Sequence, residues 1–372
     1  MDLKNIIAAI TLSAAVIVLY GLFFAPSQEQ LANLKNDSTH NDTSQNLDTP
    51  NIDEKIEITN VSREDEIIKD ERIYFDNEFI KGSILLKGGV IDDLELKTYN
   101  RTLGSKEKIQ LLNPGTMKNG YTFNTGWATK SSIETPNLNT LWQVDGSNKL
   151  TQNNPIKIYY VNDIGVKFER IISIDEKYLF EVKQTLINNS NETFKVYPYA
   201  RINRNNLPSD LTDFYILHEG YTFITGEDVQ EIDYDDVEEK KYSKEGTTGM
   251  LIQGDKYWMT SIIPEQGRNF RFDLDYKKKY RASYIDLKGY EVRPNTVTQH
   301  GVKSLIGAKE INQINKYKEE LRIDKLDLIV NYGVLYFIIV PMHKILSYFF
   351  NFTGNYGYAI ILLTILVRVV FF

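Results

Sequence analysis

Cysteine is absent from the 372 residues. No disulfide, thiolate metal ligand or cysteine nucleophile is therefore available. Histidine is scarce: His40, His218, His300 and His343 are the four present, and their scatter excludes zinc-ligand spacing. Basic excess is lacking too. Lys and Arg number 43 against 50 Asp and Glu, a formal net charge of −7, and no basic block stands out, which argues against a nucleic-acid partner. There is no glycine-rich phosphate loop, because Gly88-Gly89 lies in a hairpin rather than at a strand-to-helix turn. No nucleophile-elbow pattern occurs. The acidic pairs Asp92-Asp93 and Asp235-Asp236 read as solvated turn residues rather than acid/base pairs. No catalytic constellation, metal site or cofactor is expected.

What the sequence does have is apolar segments at both ends. Residues 6–24 are an apolar run close to spanning length, preceded by Lys4. Phe23 and Phe24 stand where a signal peptidase needs small residues, so the run reads as an uncleaved anchor. The long acidic segment that follows places the N-terminus in the cytoplasm and the bulk outside. Residues 27–66 are rich in Asn, Asp, Ser, Thr and Gln and cannot bury enough apolar surface to order themselves, which predicts a tether.

From about residue 71 the pattern changes to short alternating runs. Residues 73–75 and 79–86 read as strands, Gly88-Gly89 turns the chain, and Leu94 and Leu96 alternate with Glu95 and Lys97. Further strands are expected at 141–144, 158–161, 166–174, 178–187, 194–202, 250–252, 257–263, 270–274 and 280–287. Many strands with polar turns predict a mainly β fold built as a large antiparallel sandwich. Residues 227–241 are acidic and read as an exposed loop or short helix. In 309–322, Ile311, Ile314, Tyr317 and Leu321 fall near one helical face, predicting a connector helix packed on the sandwich.

The C-terminal stretch holds two unlike apolar segments, separated by a hinge-like Asn351-Phe352-Thr353-Gly354-Asn355. The first, about 332–350, carries Pro341, His343, Lys344 and Ser347 among large apolar side chains and suits the plane of a membrane interface. The second, 356–372, is apolar except for Thr364 and Arg368 and has about the length that begins to span a bilayer. An arginine in such a segment costs about 2.5–3.5 kcal/mol on insertion scales. One reading lets its head snorkel to lipid phosphates. The other turns it toward a polar cavity, as Thr364, four residues earlier on the same helical face, suggests.

These residues carry a resemblance. Asn331-Tyr332-Gly333, the helix with Pro341 and Lys344, and Gly354-Asn355-Tyr356-Gly357 leading into Thr364-Ile365-Leu366-Val367-Arg368 resemble the YidC membrane-protein insertases of Gram-negative bacteria. More weakly, Lys87-Gly88-Gly89-Val90, and Tyr257-Trp258-Met259-Thr260 leading to Ile263-Pro264, resemble that family's large periplasmic domain, a β-supersandwich related in shape to mutarotase-like folds.

The resemblance implies a multi-pass protein of the bacterial inner membrane. Its expected division is an N-terminal transmembrane anchor (1–26), a polar linker (27–66), a periplasmic β-supersandwich (67–308), a helical connector (309–327), an interfacial amphipathic helix (328–353) and a transmembrane helix (354–372). It also implies a hydrophilic groove in which Arg368 and Thr364 receive polar parts of substrates. The implied partners are nascent membrane proteins, Sec translocon components and membrane lipid, with no nucleotide, metal or other cofactor. The family continues with further spans that close the groove. This sequence has none of them, which leads us to expect an N-terminal portion or a truncated product.

Two other readings stand beside this one. The chain would be a membrane-anchored periplasmic scaffold without insertase activity, or a tethered carbohydrate-binding or mutarotase-like enzyme. A pocket of clustered His and Glu around His218 or His300 would favour the enzyme.

Overall fold

Alternation along the strands sets the architecture. In β9 every second residue from Val166 to Ile174 is buried, the period-2 signature of a sheet with one face on a core. The computed structural model describes residues 61–208, 211, 218–330 and 336–371. The expected N-terminal anchor, most of the linker and Asn331-Tyr332-Gly333 lie outside the described residues.

The strands in chain order are β1 (Arg72–Asp76), β2 (Ile80–Leu85), β3 (Val90–Asn100), β4 (Lys108–Leu112), β5 (Tyr121–Thr129), β6 (Gln143–Asp145), β7 (Lys149–Leu150), β8 (Ile156–Val161), β9 (Val166–Ile174) and β10 (Leu179–Asn188). They continue as β11 (Phe194–Arg204), β12 (Gly220–Thr225), β13 (Asp228–Asp233), β14 (Tyr242–Gly246), β15 (Gly249–Gly254), β16 (Trp258–Ile262), β17 (Phe270–Tyr276), β18 (Tyr280–Asp286), β19 (Tyr290–Val292) and β20 (Val297–Ala308). The helices are α1 (Arg63–Ile67), α2 (Tyr234–Glu239), α3 (Ile311–Leu321), α4 (Tyr336–Thr353) and α5 (Tyr356–Phe371), with a 3-10 turn over Leu326–Ile329.

The strands form two sheets. Sheet A has eleven, in the order β14-β17-β18-β11-β5-β3-β2-β1-β7, with β19 on β11 and β4 on β3. Sheet B has nine, in the order β13-β12-β15-β16-β20-β10-β9-β8-β6. Pairing is antiparallel throughout except between β1 and β7. The expected β-sandwich is therefore present.

Aromatic contacts fasten the layers across the core. Phe75 of sheet A meets Phe180 of sheet B edge-on at 5.3 Å, and Phe223 stacks on Phe272 at 6.0 Å. All four are at most 1% exposed, and each such burial contributes about 1.5–3 kcal/mol. A second apolar cluster joins Ile224, Met250, Met259 and Leu305 of sheet B to Ile314, Tyr317 and Leu321 of α3. α3 packs on sheet B through Ile314, Tyr317 and Leu321, three of the four positions placed on one face by periodicity, while Ile311 is only partly buried.

Several local readings change. Asp92 and Asp93 are not solvated turn residues: both lie in β3 at 2% and 4% exposure, where Asp92 faces Arg72 and Asp93 accepts from Arg63 and Ser83. Burial is tolerated because each carboxylate has donors. Asp235 and Asp236 are exposed, in the first turn of α2, where negative charge is favourable. The acidic stretch 227–241 contains that helix and also strand β13. The longest strand, β20, had no counterpart in the sequence reading. His300, Ser304 and Gly307 occupy buried positions along it, so its apolar alternation is broken.

Candidate functional site

The connector that leads toward the C-terminal helices is anchored by hydrogen bonds. Glu310 precedes α3 and accepts from Tyr99 Oη at 3.0 Å, Lys177 Nζ at 2.7 Å and Tyr178 Oη at 2.6 Å. About two turns further along the helix, Tyr317 Oη donates to Asp175 at 2.7 Å. Burial raises the Glu310 carboxyl, but the donations from Lys177, Tyr178 and Tyr99 outweigh it and leave its pKa below the ordinary carboxylate value.

α4 and α5 follow as a helical pair. α4 runs through Thr353, so Asn351, Phe352 and Thr353 belong to the helix, and the expected five-residue hinge contracts to Gly354 and Asn355. Gly354 sits at φ +66° and its N–H donates to Phe350 O at 2.7 Å, a left-handed helix end that glycine adopts without penalty. Asn355 Oδ1 then accepts from Gly357 N at 2.8 Å and caps α5. Phe350 stacks on Tyr356 at 4.0 Å, and Ala359 is fully buried. Pro341 lies inside α4 and removes one backbone hydrogen bond there.

Thr364 and Arg368 stand four residues apart on α5, and both are exposed. The Thr364 hydroxyl donates to Ile360 O at 2.8 Å, returning its polarity to its own helix. Among the described residues Arg368 has no acidic partner. Around these two groups the surface is apolar: Ile360, Ile361, Ile365 and Val369 are each more than half exposed. Surface of that kind in one patch marks contact with lipid or protein. The 16 residues of α5 extend about 24 Å, short of a hydrocarbon core of about 30 Å. No helix among the described residues is long and apolar enough to cross a membrane.

Among the described residues, His218 and His300 do not assemble a site. His218 bonds Asp233 Oδ1 at 3.0 Å and the Tyr221 carbonyl at 2.9 Å. His300 is buried between Tyr284 Oη at 3.0 Å and Tyr290 Oη at 3.3 Å, with Glu265 at 3.2 Å. The hydrogen bond from His300 holds the Glu265 carboxyl below its usual range. No contact joins the two histidines, and no group of metal-ligating side chains occurs among the described residues.

Sequence reading missed a cavity of about 900 Å³ over sheet A. Its floor is made by the residues that alternate with the core positions: Arg72 beside Ile73, Asp92 beside Ile91, Arg201 and Asn203 flanking Ile202, and Arg281 beside Ala282. The signal was present only as single charged residues beside core positions, one on each of several strands, and one strand alone does not reveal which others lie beside it.

Comparison with known proteins follows the same outline. A family model described as the YidC periplasmic domain matches residues 72–345. A membrane protein insertase YidC from Pelagibacter ubique is 43% identical over the whole chain, which spans 66% of that relative. The relative of the same name from Brucella melitensis is 35% identical over 84% of the chain, which spans 52% of its length. The chain thus spans about half to two thirds of the curated relatives it matches. Among solved structures, a galactose mutarotase-like protein from Lactobacillus casei is similar at 8% identity, with a TM-score of 0.46 over 63% of this chain and 100% of that one. That likeness carries no functional weight.

Proposed function

The chain belongs to the YidC family of membrane protein insertases, and on that premise we propose that it takes part in inserting and folding integral membrane proteins in the bacterial inner membrane, alone or with the Sec translocon. Close relatives carry the insertase name, and insertases are not enzymes. The mutarotase-like reading is set aside accordingly.

The observation that carries the mechanism is the pairing of a lone cation with an exposed apolar helix. Arg368 projects from α5 amid apolar surface and finds no acid among the described residues. In a bilayer such a group draws water and polar partners to itself, because an unhydrated guanidinium in hydrocarbon is costly. A nascent chain's polar flank beside Arg368 meets a smaller desolvation penalty than in bare lipid. Its apolar segment then moves sideways into lipid by hydrophobic transfer. In this reading α4 lies in the membrane interface, α5 belongs to a membrane-embedded multi-pass core, Thr364 lines the groove with Arg368, and the β-sandwich occupies the periplasm as a docking surface for translocon components. The capped Gly354-Asn355 junction supports a fixed angle between α4 and α5.

The test is complementation. In cells depleted of their own insertase, the chain is expressed as it stands and, separately, with the remaining C-terminal portion of the Pelagibacter ubique relative appended. Insertion of a small membrane protein is followed by protease accessibility. The expected result is restoration by the extended chain and by its Arg368→Lys form, and loss with Arg368→Ala. Failure of every form, with normal expression, would overturn the insertase reading and favour a periplasmic scaffold.

A further inference from the structure

The cavity over sheet A carries charge of the opposite sign to the chain as a whole, whose formal net charge is −7. Most acids on its wall are already engaged. Asp92 pairs with Arg72 at 2.7 Å, Asp275 pairs with Arg281 at 2.6 Å, and Glu66 accepts from Lys69 and Thr116. Four lysines on the same wall, Lys87, Lys277, Lys278 and Lys279, form no ion pair among the described residues. Against them stands one unengaged acid, the exposed Asp70.

Three of the lysines come from the turn between β17 and β18, where Lys278 takes φ +63°. Lys277 and Lys278 are exposed, while Lys279 is half-buried. Burial alone pulls the Lys279 ammonium below its usual pKa, so a nearby anion restores the electrostatic stabilisation that water no longer supplies.

The remaining lining limits the ligand. No aromatic side chain borders the cavity among its described residues, so a sugar ring or base has no stacking platform. Leu85, Val90 and Leu138 interrupt the charged wall. These short apolar patches between cations match a chain whose acidic and aliphatic side chains alternate, and they give no continuous slot for acyl tails. A volume of about 900 Å³ also exceeds what a single inorganic anion fills.

We propose that this cavity binds acidic polypeptide segments, whose carboxylates pair with Lys87, Lys277 and Lys279 while aliphatic side chains rest on Leu85, Val90 and Leu138. The site goes beyond the insertase reading and does not depend on Arg368.

The test is fluorescence anisotropy with a dye-labelled peptide alternating Glu, Val and Ser, titrated with the full chain in detergent micelles at low salt. The control peptide has Gln in place of Glu. The acidic peptide is expected to bind about tenfold tighter than the control, and added salt is expected to narrow the difference. Replacing Lys277, Lys278 and Lys279 together by Gln is expected to weaken binding about fivefold, and replacing them together by Arg to restore it. Lys183→Gln, on β10 in sheet B, is expected to change nothing. Circular dichroism melts establish that each variant is folded. Equal binding of the two peptides, or indifference to the three Gln replacements, would overturn the proposal. Stronger retention of phosphatidylglycerol vesicles than of peptide by the same lysines would also overturn it and assign the cavity to lipid.

Discussion

Tyr178 is held at two points by the connector helix: its hydroxyl donates to Glu310 at 2.6 Å, and its backbone N–H donates to the Tyr317 hydroxyl at 3.1 Å. Tyr178 immediately precedes β10 of sheet B and is 1% exposed. The sandwich and the helix leading to the C-terminal pair are therefore joined by specific polar contacts as well as apolar packing. Movement of one relative to the other has to break buried hydrogen bonds.

Glu310→Gln tests this joint. Three donors lose a charged acceptor, and the expected loss of stability is about 1–3 kcal/mol in denaturant unfolding. The folded-state pKa of Glu310 lies below its unfolded value, so its contribution is present above the unfolded pKa and is lost as pH falls through the folded one. Wild-type stability is expected to drop on acidification below about pH 4.5. The Gln variant is expected to show a shallower drop over the same range.

Arg170 is a second point of fragility. Its guanidinium is buried, donates to the carbonyls of Gly88 at 3.2 Å, Gly89 at 3.1 Å and Thr125, and lies 4.1 Å from the Trp142 ring centroid. Burial pushes its pKa down to about 10, which still leaves it charged at neutral pH. Arg170→Ala is expected to cost on the order of 3 kcal/mol, because buried carbonyls lose their donor and a void remains. Gly89→Ala is expected to fail at the same place, since Gly89 has φ +62° and a Cβ there would stand 2.4 Å from the Arg170 Nη1. Thermal melts of both variants check this.

Asp92→Ala is expected to be more harmful than its position on the outer face suggests. Arg72 and Asp92 have side-chain exposures of 2% and 3%. Removing the acid strands a buried guanidinium, at a cost of about 3–5 kcal/mol. Replacing both, as Arg72→Met with Asp92→Leu, is expected to recover much of that loss. Denaturant unfolding of the single and double variants measures the coupling.

The two polar groups of α5 are expected to separate in function. The Thr364 hydroxyl already donates to Ile360 O, so Thr364→Val is expected to leave insertion within about twofold of wild type. Arg368→Ala is expected to reduce it by about tenfold or more, because Arg368 is the one charged residue of α5. Insertion yield of a reporter membrane protein in depleted cells, measured with the extended chain of the complementation test and normalised to expression, compares the two.

Much of the sandwich was legible in the sequence because its strands keep one face on the core. β1, β9 and β17 declared themselves by alternation, and the Asn162–Gly165 turn marked the hairpin of β8 and β9. β5 and β20 did not. β5 is buried on both faces over eight successive residues, with Thr122, Asn124 and Thr125 among them, so no period of two survives. In β20 the inward positions hold His300 and Ser304, whose burial depends on Tyr284 of sheet A and on the Ser261 carbonyl of the neighbouring strand β16. The polar positions Thr364 and Arg368 were legible because so little else in the last 17 residues is polar.

Periodicity, turn residues and apolar length were sufficient to define the β class, the connector helix and the lone arginine of the last segment, since each is a local property of neighbouring residues. Which strands lie side by side was not local. The burial of Asp92, the seating of Arg170 under Gly88 and Gly89, and the gathering of Lys87 with the 277–279 turn over one cavity all required residues far apart in the chain to meet. Such meetings are decided by sheet order, and sheet order follows from how the whole chain buries its apolar faces.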